Sequence, residues 1–78
     1  MTNKEKINDV LFEVFKVNED QLEDLKFGTN YWDSIGHLKM IGELENKFEI
    51  TISPDDIVRM STYDDILKVL EESYGVVF

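Results

Sequence analysis

The sequence predicts an all-α fold: a small antiparallel bundle of four helices with a long first loop and a short third helix. Apolar residues recur with helical spacing in three stretches, and helix-start signals precede the predicted helices. The one alternating stretch, Ile50-Thr51-Ile52, is too short to form a sheet by itself. A chain of 78 residues has room for a single core, so we expect one domain over residues 1–78.

The first helix is predicted over about residues 3–15. Thr2 and Glu5 have the spacing of a capping box, in which a hydroxyl and a carboxylate each accept a hydrogen bond from a free backbone N–H group. An apolar stripe follows at helical spacing, formed by Ile7, Val10, Leu11 and Val14. These features indicate an amphipathic helix that packs on the core.

Residues 17–33 show no sustained periodicity and are predicted to form the long first loop. Its apolar anchors are Val17, Leu22, Leu25 and Phe27. A connection of this length in a small domain is often functional, and Gly28 and Asn30 supply turn chemistry before the next helix. The aromatic pair Tyr31-Trp32 has two interpretations, an exposed anchor for a partner or a lid over the core.

The second helix is predicted to begin at Asp33 or Ser34, both good N-cap residues, and to end at about Phe48. Its predicted apolar stripe consists of Leu38, Ile41, Leu44 and Phe48. Charged and polar residues mostly lie off this stripe, so the helix is predicted to be amphipathic.

The last two helices have clear start signals. Ser53-Pro54-Asp55-Asp56 combines a serine cap, proline at the first helical position and acids in the first turn, and only one or two turns follow. The fourth helix is predicted to start at Thr62, with Asp65 three residues later, and to stop at Gly75. Its inward-facing residues are predicted to be Ile66, Val69 and Leu70.

Composition excludes several classes of function. The net charge of −9, from 17 acidic and 8 basic residues, disfavours binding to nucleic acid or to anionic membranes. It favours basic protein partners, unless the acidity serves only solubility. One histidine and no cysteine exclude ordinary zinc sites and disulfides, so we expect no metal, and any thiol chemistry must come from an attached group. Charges interrupt the apolar N-terminal residues, so we expect no signal peptide, no membrane insertion and a cytoplasmic location.

A motif at the start of the second helix resembles a known signature. Asp33-Ser34-Ile35, followed by the apolar stripe and by Glu45, resembles the Asp-Ser-Leu signature of the acyl and peptidyl carrier proteins, which are phosphopantetheine-binding. The stretch ITISPDDIVRMSTYDDILKVL is similar to the short third and longer fourth helices of that family. The resemblance covers most of residues 31–70. A tripeptide alone would mean little, but its place at the start of the second of four helices in an acidic domain makes the match specific.

The resemblance implies a monomeric carrier without catalytic residues of its own. A phosphopantetheinyl transferase would move 4′-phosphopantetheine from coenzyme A onto Ser34. The thiol of this arm would then hold an acyl or aminoacyl group as a thioester and present it to loading, transferase or synthase enzymes. A serine that opens a helix suits a phosphodiester, because the helix dipole there favours negative charge by roughly 0.3–1 kcal/mol. The alternative is that Ser34 serves only as a helix cap.

The residues around Ser34 receive roles from the same resemblance. Asp33 would help the transferase to recognise the motif, or cap the helix, or both. Ile35 would be an exposed partner contact that shelters the arm, unless it packs inward, and Leu38 would line an acyl cavity while also belonging to the core. The predicted partner-binding residues are Leu38, Lys39, Glu43, Glu45, Asp55, Asp56 and Ile57. For the acids among them, a merely solvated face is the alternative.

Several residues depart from the pattern of carriers used in fatty-acid synthesis. Tyr31-Trp32 stands where a small glycine-containing turn is usual, and Gly36 and Lys39 replace positions that are commonly acidic. Gly42 replaces a large apolar contact. Trp-Asp-Ser-Ile-Gly-His resembles instead the discrete carriers of specialised pathways, such as cell-surface or secondary-metabolite synthesis. The resemblance does not identify the cargo.

Two other functions compete with the carrier hypothesis. Ser34 and His37 are three residues apart on a helix and could form a hydrolase pair, but the chain has no nucleophile elbow, so we expect His37 to be a polar surface residue beside the arm. The stronger alternative is a non-catalytic, acidic helical domain for protein interaction without a prosthetic group. In that case Tyr31 and Trp32 would be its exposed anchor.

Overall fold

The computed structural model describes residues 1–78 and contains no β-strand. Its helices are α1 (Asn3–Phe15), α2 (Ser34–Phe48), α3 (Pro54–Arg59) and α4 (Tyr63–Tyr74), with a 3₁₀ helix (Glu19–Asp24) in the first connection. The all-α prediction is therefore confirmed, but the helical elements number five rather than four. None of these helices has the length and apolar character needed to cross a membrane.

Side-chain caps fix where the helices begin. The capping box of α1 forms as predicted, with Thr2 Oγ1 accepting from the Glu5 N–H (3.1 Å) and Glu5 Oε1 accepting from the Thr2 N–H (3.0 Å). Ser53 caps α3 and Thr62 caps α4 through the N–H groups three residues later. Gly75, in the left-handed conformation (φ 67°), ends α4 as expected.

The first connection is more ordered than its sequence pattern indicated. Gln21 Oε1 accepts from the Asn18 N–H at 3.0 Å and the Asn18 carbonyl accepts from the Gln21 N–H at 3.1 Å, and these two hydrogen bonds start the 3₁₀ helix. The predicted anchors Val17, Leu22 and Leu25 are buried. Phe27 is a partial exception, because 42% of it is exposed and its ring lies against the edge of the core. Its backbone N–H is bonded to the carbonyl of Ser61 (2.9 Å), which joins the loop to the start of α4.

Trp32 lies at the centre of the molecule. It is fully buried within a cluster of 18 apolar residues, and its ring centroid is 4.9 Å from that of Phe15 on α1. Tyr31, by contrast, is 57% exposed. Of the two interpretations of this pair, Trp32 therefore belongs to the core, and only Tyr31 is available at the surface.

The buried face of α2 is rotated from the predicted stripe. The buried residues are His37, Met40, Ile41 and Leu44, whereas Leu38 is 65% exposed. The prediction was correct for Ile41 and Leu44 and wrong for Leu38 as a core residue. The prediction of His37 as a surface residue was also wrong, because both of its ring nitrogens find hydrogen-bond partners inside the protein. An imidazole whose two ring nitrogens both have hydrogen-bond partners can be buried in the core, whereas burial without partners would be costly.

Candidate functional site

Ser34 is the first residue of α2, and it is exposed. The cap of the helix is the residue before it: Asp33 Oδ1 accepts a hydrogen bond from the Gly36 N–H at 2.8 Å, and the Asp33 carbonyl accepts from the His37 N–H at 2.9 Å. Helix initiation therefore does not depend on the Ser34 hydroxyl. The side chain lies at the helix end where the dipole favours negative charge.

Large apolar side chains are exposed on the two helices near this serine. Ile35 is 69% exposed, so it does not pack inward, and Leu38 is 65% exposed on the next turn of α2. Val58 on α3 is 79% exposed. Ile35 and Leu38 are three residues apart on one helix and are therefore neighbours on the surface of α2.

His37 connects three parts of the molecule. Its Nδ1 accepts from the Trp32 indole N–H at 2.9 Å, and its Nε2 lies 2.7 Å from the carbonyl oxygen of Ile57 on α3. An indole N–H can only donate and a carbonyl can only accept, so the ring is neutral with its proton on Nε2. Neither nitrogen is free to take a proton from Ser34. The geometry thus argues against the hydrolase pair.

Two surface depressions border α2. One is an apolar cleft of about 230 Å³ lined by Phe27, His37, Ile57, Val58 and Ser61. The other is a groove of about 470 Å³ between α1 and α2, to which α2 contributes Leu38, Lys39, Gly42, Glu43 and Asn46. No added Cβ at Gly42 would meet an atom within 4 Å, so the glycine leaves this groove open.

The four predicted partner-binding acids fall into two pairs. Glu43 and Asp55 are exposed. Glu45 Oε2 accepts from the Ile52 N–H at 2.8 Å, and thereby fixes the extended segment after α2. Asp56 accepts from the Tyr74 hydroxyl (2.8 Å) and from Ser53 and Arg59, and the Tyr74 hydrogen bond is the main reason that its pKa lies below the usual range. Glu45 and Asp56 therefore already stabilise the fold, which leaves Glu43 and Asp55 as the freer acids.

The remaining predicted contacts are placed as follows. Lys39 is exposed and lines the groove between α1 and α2. Ile57 is only half-exposed and packs against the core, so less of it can reach a partner than of its neighbour Val58. The sequence reasoning missed Val58, and also the contribution of Phe27 and Ser61 to the cleft beside α3.

Comparison with known proteins identifies the family. An acyl carrier protein of Chlorobium phaeobacteroides is 36% identical to the chain over 61 residues, which cover 76% of this chain and 78% of that protein. The chain belongs to the acyl carrier protein family. The resemblance drawn from Asp33-Ser34-Ile35 is thus confirmed at the level of the family. No protein-family model matches the chain, and no solved structure matches it.

The Ser34 side chain is open to solvent at the start of α2, next to the exposed side chain of Ile35. The apolar cleft is bordered by His37, one turn further along the same helix. Ser34 therefore has both free solvent and an apolar cleft in its neighbourhood.

Proposed function

We propose that this chain is a carrier protein that bears a 4′-phosphopantetheine arm on Ser34. The observation that supports this most directly is an exposed serine at the first position of α2 whose helix is capped by the preceding residue, Asp33. The hydroxyl is therefore available for modification without loss of a cap. As a carrier, the chain transports acyl or aminoacyl groups as thioesters and presents them to partner enzymes, and it is a single-domain cytoplasmic monomer.

The residues at the start of α2 fit a phosphodiester. Backbone N–H groups in the first turn have no partner within the helix, and they favour negative charge at this position. The Asp33 carboxylate accepts the hydrogen bond of the Gly36 N–H, and the N–H groups nearer the helix start remain for the phosphate. The arm supplies the thiol that this cysteine-free chain lacks. On attachment, the Ser34 oxygen forms the new P–O bond, the pyrophosphate bond of coenzyme A breaks, adenosine 3′,5′-bisphosphate leaves, and the serine proton passes to a base of the transferase.

The carrier leaves catalysis to its partners. His37 cannot act as the general base for Ser34, because both of its ring nitrogens are engaged. The transferase supplies that base, and the loading and synthase enzymes supply the chemistry on the cargo. Asp33, which caps the helix, is also the residue that the transferase recognises together with Ser34.

We assign the docking face to exposed residues of α2 and α3. Ile35, Leu38 and Val58 provide exposed apolar contacts, and Glu43 and Asp55 provide exposed carboxylates for basic partners. Lys39 places a positive charge within this acidic face. The mixed charge fits partners other than those of fatty-acid synthesis, and we assign the chain to a specialised pathway such as cell-surface or secondary-metabolite synthesis.

Intact mass spectrometry tests the attachment. The chain is incubated with coenzyme A, magnesium and a broad-specificity phosphopantetheinyl transferase. We expect the wild type to gain the mass of one arm and the Ser34→Ala variant to gain none. Ser73→Ala, which removes an exposed serine of α4, is the matched control and gains one arm. If several transferases leave the folded wild type unmodified, the protein is a non-catalytic interaction domain without a prosthetic group.

A further inference from the structure

His37 is the only polar residue among the buried side chains. It lies in α2, one turn after Ser34, and is bonded on one side to Trp32 of the first connection and on the other to the backbone of α3. Sequence separations of 5 and 20 residues show that this connection is tertiary rather than helical. The His37 imidazole thus connects the first connection, α2 and α3 by two hydrogen bonds. We call this pair of hydrogen bonds the His37 tie.

The tie crosses the boundary between α2 and α3. Helix α3 has six residues, none of which is buried, so packing alone holds it weakly. Its other polar anchor is Asp56, which is bonded to Tyr74 of α4. The bond from His37 Nε2 to the Ile57 carbonyl (2.7 Å) is accordingly the hydrogen bond that holds α3 against α2.

The apolar cleft lies on the outer side of this tie. His37 and Ile57 both line it, together with Phe27, Val58 and Ser61. In the core, by contrast, Trp32, Met40 and Met60 are completely buried. None of the buried apolar residues of α2 (Met40, Ile41 and Leu44) lines any cavity. A group that passed from the cleft into the core between α2 and α3 would have to separate His37 from Ile57. His37 Nε2 would then lose its partner, and the Ile57 carbonyl would keep only the longer hydrogen bond from the Met60 N–H (3.4 Å).

We propose that His37 is a specificity-determining residue that keeps thioester cargo in the outer cleft and out of the core. The proposal rests on the carrier function of Ser34 and specifies its substrate class. The cleft, at about 230 Å³, is smaller than the roughly 300–1,000 Å³ of pockets that bury a drug-sized ligand. Cargo suited to this chain is therefore a short or polar acyl group that does not require burial.

The test compares an octanoyl arm with a butyryl arm, each loaded onto Ser34 from the corresponding acyl-coenzyme A by the transferase. Amide chemical shifts are measured against the unloaded holo protein. In the wild type we expect octanoyl to shift the amides of Val58 and Ser61 in the cleft and to leave those of Leu44 and Ile66 in the core unchanged. In His37→Ala we expect octanoyl to shift both sets, and hydroxylamine to cleave its thioester several-fold more slowly than in the wild type.

His37→Gln is the matched control, since its side-chain amide can still donate to the Ile57 carbonyl, and it should retain the wild-type pattern. Octanoyl-dependent shifts at Leu44 and Ile66 in the wild type would overturn the proposal. This measurement uses the wild type alone, so it does not require the alanine variant to fold. Identical shifts and cleavage rates in wild type and folded His37→Ala would overturn it equally. Failure of the arm to attach would instead refute the carrier function. Slow exchange of the Trp32 indole proton in the unmodified chain, lost in His37→Ala, would then still establish the hydrogen bond between Trp32 and His37.

Discussion

At the scale of single residues, Asp56 links α3 to α4 through a charge-dependent contact. The Tyr74 hydroxyl, which donates to its carboxylate, is the largest cause of its lowered pKa, and Ser53 and Arg59 act in the same direction. Because the folded pKa lies below the unfolded value of about 3.9, the contribution of Asp56 to stability is complete above that pH and is lost as the pH falls through the folded pKa. We expect Tyr74→Phe to raise the midpoint of the Asp56 carboxyl titration measured by NMR.

The same variant should be less stable than the wild type at neutral pH. The difference should shrink as the pH falls below about 4, since protonation of Asp56 removes from the wild type the charged hydrogen bond that the variant already lacks. Glu5 is the internal control: its pKa is lowered by Thr2 at the start of α1, so its titration should not change. An unchanged Asp56 midpoint in the folded variant would contradict the assigned cause.

Lys39 gives the residue-scale prediction about partners. The side chain is exposed, so Lys39→Glu should change the free energy of unfolding by no more than about 0.5 kcal/mol. If Lys39 helps to select partners, the variant should alter the rate of acyl transfer by the cognate loading enzyme. Lys68→Glu on α4 gives the same net charge and should leave that rate near the wild-type value. Equal rates for both variants with every partner tested would exclude the role of Lys39.

Neighbouring residues of α2 show what sequence periodicity could and could not predict. Ile41 and Leu44 were placed correctly, because both the predicted and the observed stripe pass through them. Leu38 was predicted to be buried and His37 to be exposed, and the structure shows the reverse. The prediction failed because hydrophobicity alone ranks leucine above histidine for burial. The burial of His37 depends on a donor five residues earlier and on a carbonyl twenty residues later, and no local pattern encodes the second. The position of Ser34 at the start of α2 could be predicted without knowledge of distant contacts, because the cap that starts the helix is local.

At the scale of elements, the helix starts were predicted well because each is set by a local cap. Thr2, Asp33, Ser53 and Thr62 all accept hydrogen bonds within three residues of themselves. The 3₁₀ helix was missed although its Asn18–Gln21 cap was visible in the sequence, because no apolar periodicity supported it. The burial of Trp32 could not be predicted either, because it depends on Phe15 and His37, which lie on two different helices.

The two glycines within α2 provide an element-scale prediction. A Cβ at Gly36 would lie 3.0 Å from the Phe15 ring, which is buried and packed on Trp32, whereas a Cβ at Gly42 would meet nothing within 4 Å. Alanine gains about 0.5–1 kcal/mol over glycine inside a helix. We therefore expect Gly42→Ala to raise the free energy of unfolding by that amount in urea denaturation. Gly36→Ala should lower it, because overpacking costs typically about 1–3 kcal/mol. Equal gains in both variants would show that Phe15 moves aside freely.

At the scale of the whole molecule, charge opposes folding. The net charge is −9, and the structure contains one ion pair between side chains, Arg59–Asp56 (3.2 Å). The radius of gyration is 11.2 Å, so many of the acids lie within about one Debye length of each other at low salt. Mutual repulsion of this kind destabilises a compact state while keeping it soluble and steering basic partners toward it.

Screening should therefore stabilise this protein. We expect the thermal midpoint at neutral pH to rise as sodium chloride is increased from about 10 mM to about 1 M, over which the Debye length falls from about 30 to about 3 Å. The double variant Glu71→Gln, Glu72→Gln removes two exposed charges from α4 and should show a smaller rise from a higher starting point. Choline chloride should act like sodium chloride, since the effect depends on ionic strength and not on a bound cation. A thermal midpoint that does not respond to salt, or an equal response in the double variant, would mean that the acids are too well solvated to repel one another.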